Sequence, residues 1–279
     1  LAGLTSIDPI DVLRWLSSGP PEMFARCCLM AGLAVDHPVV AAWQQHWQAA
    51  MLDIQQWPQP EARASIARAL ALLKLDQRPG VGLNAQGWPD IDWVEVPGGA
   101  VVLGKKAQTF YVTPFCLARY PVTNAQFQAF LDDTDGYTNK HWWEGLDATP
   151  GTPEPPRWTE ANQPRDSVSW FEAMAFCAWL SARLGYDITL PTEGQWQQAA
   201  CSAQAGFAYP WGTADIRVKI GHSSYPKPHC RGHAKFNCNR LSFHPVDDIN
   251  FYRHFPTRLV FDCRRLAEPP TPARQTGAA

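Results

Sequence analysis

Charge of either sign is scarce: 18% of the 279 residues are charged and the formal net charge is -2. Such a chain offers no broad positive field to nucleic acid or to an anionic membrane surface, so neither partner is expected. No apolar run approaches the roughly 20 residues that span a bilayer. None of the eight cysteines (Cys27, Cys28, Cys116, Cys177, Cys201, Cys230, Cys238 and Cys263) belongs to a C-x-x-C pair, which removes the common zinc and thioredoxin spacings. Neither G-x-x-x-x-G-K-[ST] nor G-x-G-x-x-G occurs, so the familiar phosphate-cradling loops are missing. The opening "LAGLTSIDPIDVLRW" has no initiator methionine and no charged stretch leading into an apolar one. A piece of a longer multidomain chain stays open as a reading, and without a secretory signal reduced thiols and a cytoplasmic compartment are expected.

What is present begins with helix. "PIDVLRWLSS", "PEMFARCCLMAGLA", "HPVVAAWQQHWQAAMLDIQQW" and "PEARASIARALALLKL" carry apolar residues at helical spacing, with Pro9, Pro21, Pro38 and Pro60 near their starts. They predict a small antiparallel helical segment over residues 1–85. "DQRPGVGLNAQGWPD" then marks a boundary near residues 76–90, rich in Gly, Pro and polar residues. "IDWVEVPGGAVVLG" predicts two short strands around a Pro-Gly-Gly turn, and "TFYVTPFCLARYPVT" a third. Thr123 is a natural N-cap for a helix bearing Phe127, Phe130 and Leu131 on one face. Ser169 with Glu172, and Thr192 with Gln195, have the spacing of capping boxes, which predicts helices over 169–184 and 192–201.

The order of these blocks carries a resemblance. "WVEVPGG", "FYVTPFCLARYPVTNAQFQAFL", "RDSVSWFEAMAFCAWLSARLG", "ITLPTEGQWQQAA" and "YPWG" together resemble the formylglycine-generating enzyme, or sulfatase-modifying factor, family from about Trp93 to Gly212. The resemblance implies an α+β fold of C-type-lectin type, irregular and loop-rich, over residues 86–265, with a disordered tail at 266–279. Trp196 and Trp211 read as apolar anchors of such a fold. It also implies where the chemistry should lie: a G-N-V-W-E-W block, then R-G-G-S with two cysteines binding copper(I). Here no G-N-V-W-E-W segment follows, and "CRGHAKFNCNRLSFH" keeps Arg231 and Gly232 but has His233 and Ala234 next. Cys238 is one position late, and Ser242 stands where the second cysteine would be. Copper(I) needs paired soft thiolates; Cys230 and Cys238 are weak candidates and are favoured as ordinary thiols. No cofactor is expected, with copper(I) reserved for the oxidase alternative. The iron-dependent branch of the family needs H-x-x-x-H-x-E, whereas the N-terminal helices offer His37 and His46 alone, nine residues apart.

Beyond Trp211 tryptophan is absent, Glu occurs only at Glu268 and Gln only at Gln275. From His233 to Thr257 only Lys235 falls among the residues that adenine-directed mutagenesis of AAC codons cannot produce. This composition is similar to that of variable proteins of diversity-generating retroelements. It nominates Asn237, Asn239, Phe243, Asn250, Phe251, Tyr252 and His254 as a contact surface for an unknown protein or small-molecule ligand. A non-catalytic binding module is therefore the expected function, with a copper-dependent oxidase and a truncated or frameshifted paralogue as alternatives. His141, Trp142 and Trp143 are expected to fill core space rather than line a groove. The run Asp132 to Asp135 is expected to be a solvated helix end rather than a calcium loop.

Overall fold

The computed structural model describes residues 11, 19–33, 37–103, 108–200 and 260–261. The chain divides into two compact units, one of Leu1–Asp92, Tyr120–Thr138 and Gly151–Ser167, the other of Trp93–Arg119, Asn139–Pro150 and Val168–Ala279.

Among the described residues the N-terminal part of the first unit holds three helices, α1 (Pro21–Met30), α2 (Pro38–Leu52) and α3 (Pro60–Leu72). Proline stands in the first turn of α1 and α3, where its missing N–H costs nothing. Their apolar stripes converge on Phe24, Cys28, Trp47, Met51, Ile66 and Leu70, all buried. Phe24 meets Trp43 and Trp47 at centroid distances of 5.5 and 5.4 Å. The expected first helix, "PIDVLRWLSS", lies almost wholly outside the described residues.

The same unit contains α4 (Asn124–Asp132). Thr123 caps it as expected, but within a full capping box: its hydroxyl accepts the Gln126 N–H while the Gln126 carboxamide accepts the Thr123 N–H. Phe127 and Phe130 face inward, and Leu131 is half-buried. The helix ends in a turn, with the Asp133 carboxylate accepting the Asp135 N–H at 2.9 Å. A Cβ on Gly136 would lie 2.1 Å from the Phe130 carbonyl oxygen, so only glycine fits this return.

The second unit holds the strands β1 (Trp93–Val96), β2 (Gly99–Leu103), β3 (Gln108–Val112) and β4 (Phe115–Ala118), then α5 (Trp170–Leu184), β5 (Ile188–Thr189), α6 (Glu193–Ala200) and β6 (Val260–Phe261). Two antiparallel sheets result, one in the order β1-β4-β6-β5 and the other the pair β2-β3. The Pro-Gly-Gly turn thus separates two sheets rather than closing a hairpin. The single strand expected over "TFYVTPFCLARYPVT" is two: Pro114 has no N–H for a ladder, and β3 and β4 find different partners on its two sides.

Both remaining capping boxes form. The Ser169 N–H donates to Glu172 at 2.7 Å and the Glu172 N–H to Ser169 at 3.2 Å. Gly185, at φ 80°, ends α5 in the left-handed conformation that favours glycine. The Ser181 hydroxyl donates to Cys177 O at 2.7 Å and accepts the Ile188 N–H at 2.8 Å, which ties β5 back to α5. Ser169→Ala is expected to lower stability by about 1 kcal/mol in chemical denaturation; an unchanged midpoint would show that the cap is idle.

On α6 the neighbours of Trp196 carry the full burial. Trp196 is half-buried, and Gln197 and Gln198 take the buried positions. Gln198 satisfies its amide by donating to Pro97 O at 2.9 Å, a partner 101 residues away that helical spacing does not reveal. Trp211 lies outside the described residues. The expectation of reduced thiols is corrected at one position: Cys27, Cys28 and Cys177 are free, but Cys116 is disulfide-bonded. Pairing of β4 with β6 brings a distant part of the chain beside Cys116, a proximity invisible in cysteine spacing, and the thiol argument for a cytoplasmic compartment loses its support. No helix among the described residues is long and apolar enough to cross a membrane.

Candidate functional site

Every residue nominated for chemistry or contact (Cys230, Cys238, Asn237, Asn239, Phe243, Asn250, Phe251, Tyr252 and His254) lies outside the described residues. The scaffold leading up to them is described, and so is a polar centre that the sequence did not disclose.

That centre lies in the first unit, just after α3. Asp76 accepts Nε of Arg78 at 3.0 Å and Nη2 at 2.7 Å. Both side chains are largely buried, at 5% and 16% exposure for Asp76 and Arg78. Asn162 Nδ2 donates to Asp76 at 2.6 Å and to Ala67 O of α3 at 2.8 Å. The Arg78 guanidinium stands 5.2 Å over the Tyr120 ring. Burial alone would raise the Asp76 carboxyl, but the hydrogen bonds and charge of Arg78, aided by Asn162, outweigh it and hold the group below its ordinary value of 3.8. A cavity of about 210 Å³ adjoins this centre, walled by Ala64 and Ala67 of α3, by Arg78 and Val81, and by Tyr120, Pro121 and Pro164. The Thr123 hydroxyl in its lining is already committed to Val81 O at 2.8 Å.

"DQR" directly after a helix is a visible hint of the Asp76–Arg78 pair. Its third member, Asn162, is 86 residues from Asp76 and left no trace at the level of motifs. Elsewhere the core-filling expectation holds for Trp143, which is buried, but not for His141, which is exposed with its ring 3.2 Å from Glu144, and Trp142 is half-buried.

Around His46 the described residues form packing contacts rather than a ligand set. The His46 ring packs edge-on to Trp43 at 5.5 Å, and among the described residues no three His, Cys, Asp or Glu side chains converge. Two of the described free thiols, Cys28 and Cys177, are poor copper(I) ligands. Burial pushes Cys177 up to about 12, and burial with the neighbouring Cys27 pushes Cys28 up to about 11, so both keep their protons near neutrality.

Comparison with known proteins places this scaffold. The sulfatase-modifying factor enzyme 1-like domain model matches residues 84–249, which is more than half of the chain. The chain is 33% identical over 133 residues to a hercynine oxygenase of Mycobacterium tuberculosis, covering 40% of this chain and 30% of that protein. It is 28% identical over 162 residues to a formylglycine-generating enzyme of Thermomonospora curvata, covering 43% and 52% respectively. It is 26% identical over 177 residues to a mouse protein named inactive C-alpha-formylglycine-generating enzyme 2, covering 48% and 56%. The chain therefore spans under a third of the mycobacterial relative and little more than half of the other two. With small sheets, capped helices and long loops in the order the motifs required, the chain belongs to the sulfatase-modifying factor enzyme 1-like family.

Proposed function

We propose that this member of the family lacks the copper oxidase reaction and acts as a binding module for a protein or small-molecule ligand, on a scaffold of C-type-lectin type. The observation that carries the reading is the sequence "CRGHAKFNCNRLSFH": His233 and Ala234 interrupt the R-G-G-S block, and Ser242 replaces a cysteine. Cys238 is one position late and Cys230 precedes the block, so neither stands where the resemblance puts the paired soft donors that copper(I) requires. A relative named as inactive supports loss of activity as an outcome on this scaffold. The contact surface proposed is that of Asn237, Asn239, Phe243, Asn250, Phe251, Tyr252 and His254. Residues of these types give adaptable hydrogen bonds and rigid aromatic area.

The test uses the full chain with copper(I) and a cysteine-containing peptide. The expected result is no peptide aldehyde by mass spectrometry and no change in copper retention when Cys230 and Cys238 are both replaced by serine. Aldehyde formation that disappears in the double variant would establish the oxidase reading instead. The retroelement element of the proposal is checked in the neighbouring DNA, where a near-identical repeat differing at adenines is expected.

A further inference from the structure

We infer that residues 75–83 form a strap that makes the N-terminal helices, α4 and the loop at 151–167 open as one cooperative piece. The inference concerns the first unit only and is independent of the proposed ligand surface. The family model begins at residue 84, yet polar groups inside the family domain are satisfied by the chain before it. Thr123 Oγ1 donates to Val81 O at 2.8 Å, and Gln126 Nε2 donates to Gly80 O at 3.2 Å as well as to Asp90 O at 2.6 Å. Gln126 is fully buried and Thr123 nearly so, so neither would find water in place of these partners while the fold stays closed.

The strap is held equally from the helical side. Gln44 and Gln48 of α2 both donate to Leu75 O, at 3.1 and 3.2 Å, and the Leu75 N–H returns to Leu70 O at 2.8 Å. Asn162 then closes the circuit by bonding Ala67 O of α3 and Asp76 of the strap with one amide nitrogen. The loop that carries Asn162 is fastened to α4 through Asn124 N–H to Gln163 O and Ala125 N–H to Ala161 O, at 2.9 and 2.8 Å. The route also tolerates no slack: Gly80 sits at φ 82°, and a Cβ there would lie 2.6 Å from that of Asp92.

Breaking the Thr123–Val81 tie leaves a buried hydroxyl without this partner, and breaking either Gln126 tie leaves a buried amide one bond short, a cost recovered only when the neighbouring ties open and water enters. Local opening is thereby made collective, which is the physical content of a cooperative unit. A disturbance of α3 is passed to the 151–167 loop through Asp76 and Asn162.

Native-state hydrogen exchange of the full chain tests this. In the unaltered protein the amides of 69–75, 122–128 and 161–165 should share one dependence on added denaturant. Asn162→Ala should speed exchange in all three by about tenfold or more, with α5 unchanged. Faster exchange confined to 161–165 would overturn the strap, and so would three different denaturant dependences in the unaltered chain. Should the alanine variant fail to fold, the denaturant series on the unaltered protein decides alone.

Discussion

Trp179→Ala is expected to lower the unfolding free energy by roughly 3–5 kcal/mol, whereas Trp158→Ala should cost less than about 0.5 kcal/mol. The two residues are chemically identical and differ in where the fold places them. Trp179 is 1% exposed in the middle of α5, its ring centre 5.7 Å from that of Phe176 and 5.9 Å below the Arg183 guanidinium. Trp158 is 63% exposed, and its contribution to the loop at 151–167 is the backbone oxygen that accepts the Asn124 amide at 2.6 Å. Truncation at Trp179 leaves a void in a region with few strands to collapse around it. Truncation at Trp158 leaves that backbone hydrogen bond in place. Chemical denaturation followed by a probe in α5 measures the first effect. Equal losses for the two variants would show that α5 does not organise the core of its unit.

The contrast between local and distant information explains what the sequence could disclose. The three helix caps at Thr123, Ser169 and Thr192 were legible because cap and partner lie three residues apart, within one turn, where side-chain chemistry alone determines the contact. Even so, the Gln126 half of the first box went unread, although it repeats the spacing of the other two. Proline and glycine marked the starts of α1 and α3 and the end of α5 for equally local reasons. Strand pairing was less legible. Where β3 ends and β4 begins depends on which partner strand each half finds, and β4 pairs with residues near the far end of the described chain.

The buried glutamines show the same limit. Gln197 and Gln198 look like the solvated face of a short helix, and a partner in a remote loop turns Gln198 into core. Family membership was readable because it rests on several local blocks in a fixed order. The positions on which the proposed function turns lie outside the described residues.

Asp76→Asn should destabilise the first unit by about 3 kcal/mol near neutral pH, the low end of the range for removing one member of a buried ion pair. The replacement keeps the size of the side chain and removes its charge, leaving Arg78 at 16% exposure with no counter-ion at this contact. It also changes the partner of Asn162, whose amide now meets a neutral group. The sign of the pH dependence follows from the direction of the shift. In the folded chain the Asp76 carboxyl is held below its ordinary value of 3.8, so the folded state binds this proton less readily than the unfolded state does. The stabilisation is therefore complete above that ordinary value and is lost as pH falls through the folded one. The difference between the unaltered chain and Asp76→Asn should accordingly be constant around neutrality and narrow in acid below 3.8. A difference that instead stays constant into strong acid would mean that the contact works through shape and hydrogen bonding alone, with the charge of Asp76 contributing nothing. A difference that vanishes at high salt but not in acid would place the pair in solvent, contrary to its burial.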